Sequence, residues 1–110
     1  MTAQLIFRGS LKEKQVTAYR DWLAQNRNAL NDNAPPGVKY IGTYFTVFGF
    51  GKFDVESRWE LSSYAALDSM RDQDDETWNK LISENSEFFE PSIPGETYLM
   101  RSEEDVRIIE

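Results

Sequence analysis

The sequence predicts an α+β domain with the element order β–α–β–β–α–β and a four-stranded antiparallel sheet. Three observations carry this. Four segments alternate apolar and polar residues as strands do, at Ala3–Gly9, 38–48, 53–61 and 96–101. Two longer stretches space their apolar residues as helices do, one between the first strand and the middle strand pair and one between that pair and the last strand. The clusters NDNAPPG, GFGK and PSIPG mark the turns between them. With right-handed crossovers, this order is the ferredoxin-like pattern, with strands one and three at the sheet centre and both helices on one face.

Each element has its own warrant. In AQLIFRG, Leu5 and Phe7 point one way and Ile6 and Arg8 the other. Ser10 is the expected N-cap of a helix over 11–31, with Val16, Tyr19, Leu23 and Leu30 on one stripe. Strands 38–48 and 53–61 form a hairpin closed on Phe50-Gly51. That closure sets Val47 against Asp54, Phe45 against Glu56, Thr43 against Arg58 and Ile41 against Glu60. Ser62 or Ser63 is the expected cap of a short helix carrying Ala65, Ala66, Leu67 and Met70. Asp74 or Asp75 is the expected cap of the next helix, whose buried stripe is Trp78, Leu81, Ile82, Phe88 and Phe89. The last strand is 96–101. Ile108 and Ile109 in the tail 102–110 are large apolar residues suited to an edge strand or to crossing onto a partner subunit, with a frayed tail as the equal alternative.

Composition removes several functions. A chain of 110 residues with 40% hydrophobic content is one domain, taken here as 1–110. A net charge of −7 argues against nucleic acid and an anionic membrane surface as partners. The absence of cysteine excludes disulfides and thiolate chemistry. The absence of histidine removes the usual general base and the commonest transition-metal ligand, so no metal or cofactor is expected. The N-terminal stretch lacks the pattern of a secretory signal, and the expected location is the cytoplasm.

The strand FDVESRWEL raises the question of function. Val55 and Trp59 suit the face beneath the helices, with Leu5, Phe7, Tyr40 and Tyr44. The opposite face carries Arg8, Asp54, Glu56, Arg58, Glu60 and Arg101 among Ile6, Ile41, Phe45, Val47 and Leu99. It is too apolar for a solvated face and too charged for a dry core. Packing against a second copy of itself answers both, so a homodimer is expected.

The whole layout, and FDVESRWELSSYAALDSMRDQDDETWNKLISE in particular, resembles the dimeric α/β-barrel superfamily, nearest the NIPSNAP and antibiotic-biosynthesis-monooxygenase families. The residues that carry the resemblance are Glu56, Trp59, Tyr64-Ala65-Ala66-Leu67 and Trp78. It implies two sheets packed face to face in a homodimer, and a pocket in each subunit between sheet and helices. Many members have a histidine just after the alanine-leucine helix. Met70 stands there instead, so histidine chemistry and haem ligation do not carry over.

Two groups of candidate residues follow. Trp22, Asn26, Tyr44, Trp59 and Tyr64 are expected to line a pocket for a small aromatic or carboxylate molecule, against the alternative of ordinary core. Arg8, Glu56, Arg58, Glu60 and Arg101 read as a charge ladder on the dimer face, with an anion clamp as the alternative. DQDDE lacks the glycine and terminal glutamate of a calcium loop and reads as helix capping. The expected function is small-molecule binding by a homodimer. The alternatives are a cofactor-independent monooxygenase or isomerase, and a non-catalytic structural dimer.

Overall fold

The computed structural model describes residues 2–49 and 51–107. The elements are β1 (Ala3–Gly9), α1 (Val16–Asp32), β2 (Val38–Phe45), β3 (Val55–Leu61), α2 (Ala65–Arg71), α3 (Glu76–Ser86) and β4 (Glu96–Met100). The sheet order is β2-β3-β1-β4, antiparallel throughout. This is the expected α+β, ferredoxin-like arrangement, with β1 and β3 central.

The core lies between the sheet and the helices. Leu61 and Ala3 are register partners and almost fully buried at 0% and 2% exposure. Trp59 packs between Tyr40 (ring centroids 4.8 Å apart) and Trp78 (5.4 Å, edge-on). A second cluster gathers around Tyr19, which touches Trp22, Phe45, Phe88 and Phe89. The Val55/Trp59/Leu61 face of β3 therefore meets the helices, as its apolar side requires. Asp75 caps α3 and accepts from the Trp78 amide at 2.8 Å.

Four expectations are corrected. Helix α1 starts at Val16, and Ser10 does not cap it. Residues 10–12 instead extend the line of β1: Lys12 N–H donates to the Phe88 carbonyl, Glu90 N–H to the Ser10 carbonyl, and Leu11 bridges Phe89. The Ser10 hydroxyl donates to the Lys52 carbonyl at 2.8 Å. Tertiary pairing of 10–12 with 88–90 has overridden a local capping signal. Neither Ser62 nor Ser63 caps α2, whose N-cap residue is Tyr64 with no side-chain capping bond. Phe88 and Phe89 lie past the end of α3, in the turn that pairs with 10–12.

The fourth correction concerns register. Phe45 faces Val55 and Tyr44 faces Glu56, one residue from the expected pairing. An irregularity between Tyr40 and Gly42 then shifts the pairing again, so that Tyr40 faces Trp59. Such a bulge lets Tyr40 and Phe45 both turn inward although their spacing is odd. As a consequence Phe45 enters the core and Tyr44 lands on the open face, the reverse of the expected assignment. Leu99 likewise faces Leu5 on the helix side. The hairpin strands are also shorter than expected, β2 ending at Phe45 and β3 starting at Val55.

After β4 the described residues form a turn, with the Asp105 and Val106 amides donating to the Ser102 carbonyl. Ile108 and Ile109 lie outside the described residues.

Candidate functional site on the open sheet face

The face of the sheet away from the helices is built by alternation along four strands. Strand β1 supplies Gln4, Ile6 and Arg8. Their register partners on β3 are Glu60, Arg58 and Glu56. Their partners on β4 are Met100, Tyr98 and Glu96. Strand β2 adds Tyr44 opposite Glu56 and Lys39 opposite Glu60.

Glu56 organises this face. Its two carboxylate oxygens accept separately from Arg8 Nε and Arg58 Nε, each at 2.7 Å. Burial alone would raise the Glu56 pKa, but the two arginine bonds outweigh it and hold the carboxyl below its ordinary range. Arg8 lies over the Tyr98 ring at 5.0 Å and Arg58 over the Tyr44 ring at 5.1 Å. A third arginine repeats the theme. Arg101 pairs with Asp105 at 2.7 Å, donates to the Tyr64 hydroxyl at 3.3 Å and lies 5.9 Å from the Tyr64 ring centre. Each arginine thus has one carboxylate partner and one tyrosine face, which fixes long side chains that would otherwise be mobile.

A groove of about 470 Å³ runs over β3, β1 and β4. Arg8, Arg58 and Arg101 line it with Glu60, and Ile6 and Met100 supply its apolar wall. Among the described residues no group of acidic side chains converges as a metal site.

The two sequence-derived groups fare differently. Arg8, Glu56, Arg58, Glu60 and Arg101 do come together, along one sheet face and its end. The five candidate pocket residues do not meet in one cavity. Trp59 is core, its indole N–H 3.4 Å from the Ser57 hydroxyl. Trp22 packs against both core clusters and donates to Glu84 at 3.2 Å. The Asn26 amide donates to the Trp22 carbonyl of its own helix at 2.8 Å. Tyr44 is on the open face because of the bulge, and Tyr64 stands beside Arg101. Tyr98, Met100, Gln4 and Asp105 were not singled out from sequence. Extending the alternation of β1 and β4 to the open face would have found the first three.

The Glu56 pairing has a measurable consequence. A carboxyl held below its ordinary range stabilises the fold above that range, and the contribution is lost as pH falls through the held-down value. Glu56→Gln is expected to lower stability at pH 7 by about 1–2 kcal/mol, the reduced figure reflecting half-exposed arginines. Urea unfolding at pH 7 and pH 3 checks this, because the difference from the parent chain should shrink at pH 3. An equal difference at both pH values would contradict it.

Comparison with known proteins bears on the fold. No family sequence model matches the chain, and no curated protein sequence matches it significantly. Solved structures do. A NIPSNAP family protein from Agrobacterium tumefaciens superposes with a TM-score of 0.70 at 16% identity, covering 92% of each chain. An uncharacterized NIPSNAP domain protein from Burkholderia xenovorans gives 0.69 at 11% identity, covering 98% of this chain and 100% of its own. The chain has the fold of NIPSNAP proteins. An ethyl tert-butyl ether d (ethd) family protein from Bacillus halodurans is similar as well, with a TM-score of 0.66 at 14% identity over 93% of this chain and 99% of that one. The NIPSNAP-like resemblance seen in the sequence therefore stands at the level of fold. No helix among the described residues is long and apolar enough to cross a membrane.

Proposed function

We propose that the chain forms a homodimer by packing the open faces of two sheets together, and that the groove on this face, closed by the second copy, binds a small organic molecule. The composition of the open face carries the reading. Tyr44, Tyr98 and Met100 are 50%, 37% and 52% exposed there, around the ordered Arg8–Glu56–Arg58 array. Large exposed aromatic and apolar side chains flanking an ordered charge array on a sheet face suit an interaction surface better than a freely solvated one. Two-fold packing presents the same patch to itself, and a patch with both signs of charge can meet its own copy without net repulsion.

The ligand belongs on this face and not between sheet and helices, where Trp22, Trp59 and Phe45 fill the layer. The groove volume lies within the roughly 300–1,000 Å³ of small-molecule pockets. Aromatic and carboxylate compounds suit it, since rings stack on tyrosine and arginine faces and arginine matches a carboxylate.

Light scattering combined with thermal unfolding tests the proposal. The expected mass is twice 12.8 kDa, with a melting temperature that rises in the presence of an aromatic carboxylate such as benzoate. A mass of 12.8 kDa with no stabilisation by any aromatic or carboxylate compound would overturn it.

A further inference from the structure

We propose that the groove over β3, β1 and β4 takes a carboxylic acid bearing a hydrogen-bond donor on the carbon next to its carboxyl group, that is, an α-amino or α-hydroxy acid. The inference rests on the reading of the open face as a ligand site and narrows the chemistry of its ligand.

Unmet hydrogen-bonding groups carry it. Arg8 and Arg58 each bind Glu56 through Nε alone. The terminal amino groups of Arg58 donate to no acceptor among the described residues, while Arg8 also faces the Tyr98 hydroxyl and the Glu96 carboxylate on β4. Glu56 occupies only the Nε edge of the Arg58 guanidinium, which leaves donors in the fork geometry that fits a carboxylate. Arg101 differs, because Asp105 meets it at two donors, Nε at 3.1 Å and a terminal nitrogen at 2.7 Å. It closes the groove without a free charge.

Glu60 supplies the second half of the argument. It lines the same groove, and its carboxylate has no hydrogen bond or ion pair among the described residues. Lys39 stands opposite it across β2 and β3, yet no ion pair within 4.0 Å forms between them. Arg58 and Glu60 are two residues apart on one face of β3, about 7 Å along the strand. A plain carboxylate bound at Arg8 and Arg58 leaves Glu60 as an unanswered negative charge beside an anion. A dianion worsens this. An ammonium or hydroxyl on the α-carbon turns Glu60 into an acceptor for the ligand and meets both ends of the groove at once. Ile6 and Met100 then take the apolar remainder of the molecule.

Four compounds with one phenyl body separate the contributions: phenylalanine, phenyllactate, phenylpropanoate and phenylalaninamide. Calorimetric titration and thermal unfolding should show the first two binding, phenylpropanoate binding roughly tenfold more weakly, and the amide not binding, as loss of a charged hydrogen bond implies. Arg58→Gln should weaken phenylalanine roughly tenfold or more, with Arg58→Lys between it and the parent chain. Glu60→Gln should remove the preference for phenylalanine over phenylpropanoate. Equal binding of all four compounds, or affinities unchanged in both the Arg58 and Glu60 variants, would overturn the inference. The mass of the same samples separates it from the dimer. A dimer that binds none of the acids overturns the ligand and leaves the assembly. A monomer that binds them with the expected preference overturns the assembly and leaves the ligand.

Discussion

Replacing Trp59 with alanine is expected to destabilise the fold by about 3–5 kcal/mol. The indole is 7% exposed and packs between the Tyr40 and Trp78 rings at 4.8 and 5.4 Å. It joins β3 to β2 and to α3, so the void cannot collapse from one side alone. A domain of this size has only about 5–15 kcal/mol to lose, and the variant should melt at or near growth temperature. Urea unfolding followed by far-ultraviolet circular dichroism measures the loss. A loss below about 1 kcal/mol would mean that Trp59 faces a space able to refill, contrary to the packing described.

The second large effect is expected at the assembly. Tyr44 is half exposed in the subunit and lies against Arg58. Tyr44→Glu sets a second carboxylate opposite Glu56 but beside Arg58, and should cost the single subunit no more than about 1 kcal/mol. In a face-to-face dimer the same change removes an aromatic contact from each copy and desolvates an added charge twice. The dimer dissociation constant should then rise by roughly a hundredfold or more. Sedimentation over a concentration series reads this directly. A Tyr44→Glu chain that dimerises as tightly as its parent would show that the contact lies elsewhere.

The sequence made the element order legible because each element repeats its own period. Alternation marks β1, β3 and β4, helical spacing marks α1 and α3, and Asp75 announces the start of α3. The register of the hairpin was not legible. It depends on the bulge between Tyr40 and Gly42, and an alternating pattern of Tyr, Ile, Thr and Phe does not reveal which residue is extra. That one irregularity moved Tyr44 from the helix side to the open face and Phe45 the other way. The start of α1 was hidden for a related reason. Ser10 is a good capping residue locally, but the chain at 88–90 claims the backbone of residues 10–12.

The candidate site divides along the same line. The arginine–glutamate ladder was legible because charges at every second position of a strand must share a face, while the setting of Arg8 opposite Glu56 came from the β1–β3 register of the structure. The aromatic pocket was not legible. Tryptophan and tyrosine on a helix or inner strand look the same in sequence whether they fill a core or line a cavity, and here Trp22 and Trp59 fill a core. Of the arginines' partner groups, Tyr98 follows from the alternation of β4, whereas Asp105 lies in the turn after it, where no periodic signal operates.

The claim at the centre of this reading is that a second copy covers the open face. Intermolecular distance measurement between spin labels tests it most directly, and the absence of native cysteine allows a single label at Lys39→Cys. Lys39 is exposed on the edge strand of that face and has no described ion pair to lose. A narrow intermolecular distance distribution, lost when Tyr44→Glu is added, is the result expected. The absence of dipolar coupling between labelled chains, or a distance that Tyr44→Glu leaves unchanged, would contradict it.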